Sequence, residues 1–431
     1  MHSFITRASA RPGLRLCSSA FGRSSRSQSS QPPSGSTEKQ AHTPKSPVQA
    51  QDNSPKHFDS VLHAGKRFIR FSLIGTVLLG VAIGGVYEGA HIWAEKNGLA
   101  PETDQEVKKW QWESDADRWT GDPEQGGTDP GLGFKARHLL RAAWMAYTWG
   151  IGHNQAAIGT HNERDSGPLG PAGIKVINPQ LQMTGQFLQS AIRLAESASD
   201  RLCPHTLPQL FTLHGTILEK LGADYLPEAR SEFERAWAGL DGRGLSSART
   251  ALKLGDIISR TGPDEQALEW WARALQLING KFSQNTSNPK ELVPQQPPPS
   301  PLAQRLLSST LVSLSAFYAK SGQYRMAESV EEQALSVLRA IPTPQSLSTA
   351  SPPQALHALF LLQRSSILSI HLAEVQYAQR KFAMSSMQWL TFAAESSERV
   401  ARALTGLPLT KTQEFHAKNS LPHPLEEQFV A

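Results

Sequence analysis

Residues 254–274 carry Leu254-Gly255, Ile258, Ala267, Trp271 and Ala274, and the same spacing returns further on as Leu314-Ser315, Tyr318, Gly322, Tyr324, Ala327 and Ala334. In both series, small residues stand 13 and 20 places after the leucine. A small side chain there lets two helices cross closely, and a large apolar residue three or four places away fills the space beside it. Such a unit is a helix, a short turn and a second helix. It cannot bury its apolar face alone, so neighbouring units must stack. Stacked helix pairs present one long face that suits peptide binding, and they seldom carry covalent chemistry.

The repeat can be followed along the chain. Leu139, Ala142, Ala143, Ala146 and Trp149 lie near helical spacing, and a helix resumes at residue 180 after a Gly/Pro-containing insertion. Together these make an irregular first pair. A second pair covers 207–240, with Ala229, Phe233 and Ala236 after a turn two residues longer than usual, and His214 in a leucine position, where a packed core histidine is the expected role. The third spans 247–279 and stops at Asn279-Gly280. The fourth spans 306–340. The fifth, 355–404, is degenerate: Leu372-Ala373, Phe382 and Trp389 fit, whereas Ser385 and Phe392 replace alanines. The period is that of the tetratricopeptide (TPR) repeat. The expected fold is all-α: a TPR-like helical-hairpin solenoid of about five repeats over 135–404, after a single N-terminal transmembrane helix.

Charge is unevenly spread. Of 43 Lys/Arg and 38 Asp/Glu, the first 70 residues hold eleven and three, which leaves the remainder slightly acidic. The basic character therefore belongs to the N-terminus, and the folded part has no basic field for nucleic acid. Residues 1–37 contain five Arg, eleven Ser and no acid, the composition of a mitochondrial presequence. Residues 38–65 are rich in Ser, Pro and Gln and read as a disordered linker. Cys17 and Cys203, the only cysteines, support neither a disulfide framework nor a cysteine metal site.

Residues 71–87 are uncharged, and with their flanks they predict a transmembrane helix over 66–93. Lys66, Arg67 and Arg70 precede the run; Glu88 and Glu95 follow it. The positive-inside bias puts the N-terminus in the matrix and the C-terminal domain in the intermembrane space of an inner-membrane, single-pass protein. Gly80 and Gly84, spaced i, i+4, would let a second transmembrane helix approach. A polar linker, 94–134, follows. Its Trp110, Trp112 and Trp119 are expected to cap the first repeat. A flexible tail is expected over 405–431.

No P-loop, HExxH, GxSxG or dinucleotide fingerprint occurs. The expectation is a non-enzyme with no catalytic residues, no cofactor and no metal; an enzyme whose groups meet only in three dimensions stays as a third reading. The binding face of a TPR stack comes from the first helix of each pair. The candidate protein-binding residues there are Glu219, Lys220, Arg249, Asp256, Arg260, Lys320, Glu374 and Tyr377. The asparagine of the chaperone-tail clamp is absent, since Thr216, Asp256, Ala316 and Glu374 occupy its position.

The order of presequence, single span and TPR-like domain, with the segments KARHLLRAAW, ARTALKLGDIISRTGPDEQALEWWARAL and FYAKSGQYRMAESVEEQAL, resembles the fungal mitochondrial inner-membrane adaptor subunits of the i-AAA protease. That resemblance implies a non-enzymatic adaptor in quality control. Its expected partners are the i-AAA protease, a second adaptor subunit, unfolded membrane-protein substrates and inner-membrane lipid, with no nucleic acid. The alternative is a TPR assembly factor for a respiratory-chain complex.

Overall fold

The computed structural model describes residues 54–115, 119, 126–150, 157–159, 175–280, 293–344, 346–347, 349–381 and 383–407. The expected presequence, most of the linker, the greater part of both insertions, Phe382 and nearly all of the tail lie outside the described residues. The chain divides into two compact units, Met1–Val86 and Tyr87–Ala431.

The described part of the first unit belongs to one helix, α1 (Ser54–Trp93), which starts well before the residue 66 expected for the span. Gly65–Gly98 is long and apolar enough to cross a membrane, and the apolar side chains from Phe68 to Val86 are exposed. At Gly80 and Gly84 an added Cβ would meet nothing within 4 Å among the described residues.

In the second unit the helix ends in a π-helical turn, Ala94–Gly98. Two short helices follow, α2 (Gln105–Lys109) and α3 (Trp112–Asp115). Then come ten long helices: α4 (Gly133–Trp149), α5 (Pro179–Glu196), α6 (Thr206–Leu221), α7 (Leu226–Gly239), α8 (Gly244–Thr261), α9 (Asp264–Asn279), α10 (Pro301–Lys320), α11 (Tyr324–Arg339), α12 (Pro352–Ala378) and α13 (Ala383–Thr405). They pack as five consecutive pairs, each also touching the next. Turns of a few residues join all pairs but the first, so the partners run antiparallel. In the first pair's long insertion, Ala157–Gly159 and Lys175–Ile177 form a two-stranded antiparallel ladder.

Small residues set the pair geometry. A Cβ on Gly255 would lie 2.5 Å from the Trp271 indole nitrogen, and one on Gly215 would lie 3.0 Å from the Phe233 ring. Ala229, Ala236, Ala267, Ala274, Ala327 and Ala334 are all fully buried. The helices therefore touch almost backbone to backbone, and the aromatic rings plug the remaining space. One core runs continuously from Leu218 to Trp389, and a second joins the first pair to α6 and α7.

Two expectations need correction. In α13 the buried small residues are Ser386 and Ala393, whereas Ser385 is half-buried and bonds to Gln376. The turn after α12 is longer than that after α8, and Arg380 there adopts φ 57°, which shifts the register by one. Trp110 and Trp112 do not cap the first pair; only Trp119 packs there, against Tyr147.

Candidate protein-binding face

The first helix of each pair contributes to one face, and the polar residues of α8, α10 and α12 on it converge on a segment from elsewhere in the chain. Arg305, on the second turn of α10, is 1% exposed in an otherwise apolar stretch. Its guanidinium donates through Nη1 to the carbonyl oxygen of Trp110 at 3.1 Å and through Nη2 to that of Gln111 at 3.0 Å. The same group lies over the Trp112 ring, 3.9 Å from its centroid. Two carbonyls and an aromatic face thus hold this cation strongly.

His357 on α12 completes the seat. Its Nδ1 lies 3.2 Å from Arg305 Nη1, and its Nε2 lies 2.9 Å from Gln304 Oε1. Arginine only donates, so Nδ1 accepts and the proton sits on Nε2, directed at the amide oxygen. The Trp110 ring lies tilted against this imidazole, 5.1 Å between centroids, and Trp112 packs edge-on against Phe360.

The segment is tied mainly through its backbone and a few polar groups. Arg249 on α8 donates to the Ser114 carbonyl at 3.2 Å. Trp112 Nε1 donates to Pro353 O at 2.9 Å, and Ser351 Oγ donates to Glu106 at 3.0 Å. Gln111 Oε1 accepts from Ser300 Oγ and from the Leu302 amide. Gln111 also adopts φ 54°, a region that non-glycine residues visit at a cost of about 1 kcal/mol. Trp110 Nε1 is buried without a hydrogen-bond partner. The segment thus fits well in outline, with two local defects.

The residues expected from the sequence divide into four groups. Arg249 joins the seat just described. Glu219 is paired to Lys253 at 2.8 Å and to Arg260 at 3.5 Å, and Lys220 donates to the Tyr147 hydroxyl at 2.7 Å. Asp256 is turned to the hairpin interior: it accepts from Trp271 Nε1 at 3.1 Å. Burial pushes its carboxyl up, while Ser313, Lys253 and Trp271 oppose that rise. Lys320, Glu374 and Tyr377 stand exposed, Tyr377 at 74%. His214 is buried, with Nδ1 3.5 Å from Glu232.

Sequence reasoning missed Arg305, His357 and Gln304. The available signal was a lone arginine inside the apolar stretch LAQRLL, where a charge must find partners. It also missed Lys253, which stands one turn after Arg249 on α8. Among the described residues no group of three His, Cys, Asp or Glu is placed to hold a metal. No protein-family model matches the chain, and no curated protein matches it in sequence.

Proposed function

We propose that this chain is a single-pass membrane adaptor whose TPR-like solenoid binds segments of other proteins and presents them to the i-AAA protease of the mitochondrial inner membrane. The observation that carries the reading is the grip of α8, α10 and α12 on residues 104–114: arginines hold main-chain carbonyls, a mode indifferent to most side chains. An adaptor for varied unfolded substrates needs that tolerance. The helix Gly65–Gly98 supports the anchor, and the close crossings at Gly215 and Gly255 support the repeat assignment. The protease assignment rests on the resemblance, together with a second adaptor subunit, inner-membrane lipid and an intermembrane-space domain.

The test is gentle solubilisation of mitochondria bearing a C-terminally tagged chain, followed by identification of what co-purifies. An AAA protease is expected, and it should be lost from Gly80→Leu/Gly84→Leu. A Cβ at either position meets nothing within 4 Å among the described residues, so the change is aimed at a neighbouring helix. Respiratory subunits without the protease would replace this reading with that of an assembly factor. A tagged chain that never reaches mitochondria would overturn both.

A further inference from the structure

We propose that the seat on α10 and α12 is a binding site for an aromatic-x-aromatic segment that turns sharply between its two rings, and that residues 104–114 occupy it as an internal ligand which a partner segment of the same kind displaces. The inference deepens the adaptor reading by naming the chemistry of the ligand, and it rests on that reading only for its biological setting.

Three observations support it. First, the recognition elements are main-chain carbonyls and rings presented by a tight turn: two carbonyls on Arg305, one carbonyl on Arg249, one ring under the guanidinium and one ring on His357. A peptide with two aromatic residues flanking one position repeats that pattern when it takes up the same turn. Second, the internal occupant carries correctable defects. Gln111 is in the left-handed region, and the Trp110 indole N–H is buried and unpartnered, which costs about 1–3 kcal/mol. A partner with phenylalanine at the first aromatic position and glycine between the rings escapes both, at the loss of the Gln111 Oε1 bonds to Ser300 and Leu302. Third, α2 and α3 have five and four residues, too short to be stable apart from the surface that holds them.

The closing residues 99–103 lead directly back to the helix Gly65–Gly98, so the occupant is tethered at high effective concentration. A free peptide must therefore compete against a ring-closed rival, and the wild-type protein should bind it weakly.

The experiment uses the full-length chain in detergent, with a fluorescent peptide of residues 104–114 carrying phenylalanine for Trp110 and glycine for Gln111. Trp112→Ala in the protein removes the ring under Arg305 and loosens the internal occupant. The variant is expected to bind the peptide at least about tenfold more tightly than wild type. A peptide with alanine in place of both aromatics should not bind. A folded Trp112→Ala protein with no gain in affinity overturns the proposal. Hydrogen exchange on the unmodified protein decides the case if that variant does not fold. Residues 105–115 should exchange through a local opening, faster when the peptide is added, while α10 and α12 stay protected. Exchange of 105–115 only with global unfolding makes the segment a fixed strut and overturns the proposal. Neither readout depends on which protein co-purifies, so failure of the adaptor reading would be seen separately.

Discussion

Glu331 stands in α11 where Trp271 stands in α9, at the position that faces the small residue of the preceding helix. Trp271 plugs the space beside Gly255; Glu331 is 0% exposed, opposite Ser315, and neither of its carboxylate oxygens has a hydrogen-bond partner. Burial pushes its carboxyl up to about 8; Glu328, Glu332 and Glu374 add to the rise, and the Ser315 hydroxyl opposes it. On α12, His371 bonds to Ser315 and is itself held low by burial, against the pull of Glu374.

The folded glutamate therefore binds a proton that the unfolded one releases near pH 4.5. Its contribution is fully present below that pH, and stability falls as pH rises toward 8, by at most about 1.4 kcal/mol per unit. Glu331→Leu should raise Tm at pH 8 and remove that slope. A variant with unchanged slope would show that Glu331 does not titrate in this range.

Gly255→Ala should destabilise. Its Cβ would lie 2.5 Å from Trp271 Nε1 and 2.6 Å from Cδ1. Forcing the helices apart costs about 1–3 kcal/mol, partly offset by alanine's better helix propensity of about 1 kcal/mol. A denaturant midpoint at or above wild type would mean that the crossing is loose.

Asp129 links the start of the first pair to the start of α6. Burial alone would raise its carboxyl, but bonds from Thr206, Cys203 N and Gly131 N outweigh that and hold it below the usual aspartate range. The stability it supplies is present above pH 3.8 and is lost as pH falls further, opposite in sign to Glu331. Asp129→Asn should cost about 1–2 kcal/mol at neutral pH and progressively less as pH falls below 3.8, read by urea unfolding across that range.

Glu95 gathers Arg137 at 2.9 Å, Arg141 at 2.8 Å and the Thr128 amide at 2.9 Å. Glu95→Ala leaves Arg141, 8% exposed, without that charge and should cost about 3 kcal/mol. Hydrogen exchange over 126–141 would speed up. Adding Arg141→Leu should restore part of the loss; no recovery would place the cost in the Thr128 contacts instead.

The helix pairs were legible because Leu254-Gly255 with Ala267 and Ala274, and its counterpart at Leu314, record a local requirement: small residues where backbones meet. The α13 register was not, since Ser385 and Ser386 are equally small and only the length of the turn at Arg380 chooses between them. The charged seat was illegible for a different reason. Arg305 and Trp110 are separated by 195 positions, and no period relates them.

By itself the sequence determined the helical architecture, its pairing order and the apolar helix, because each follows from spacing within some tens of residues. Tertiary structure alone decided what lies on the binding face. Asp256 turned inward to Trp271, Glu219 was taken up by Lys253 and Arg260, and residues 104–114 came to rest on α8, α10 and α12. Those outcomes depend on which polar groups must be satisfied once the pairs are stacked, and desolvation acts on positions that chain order does not bring together.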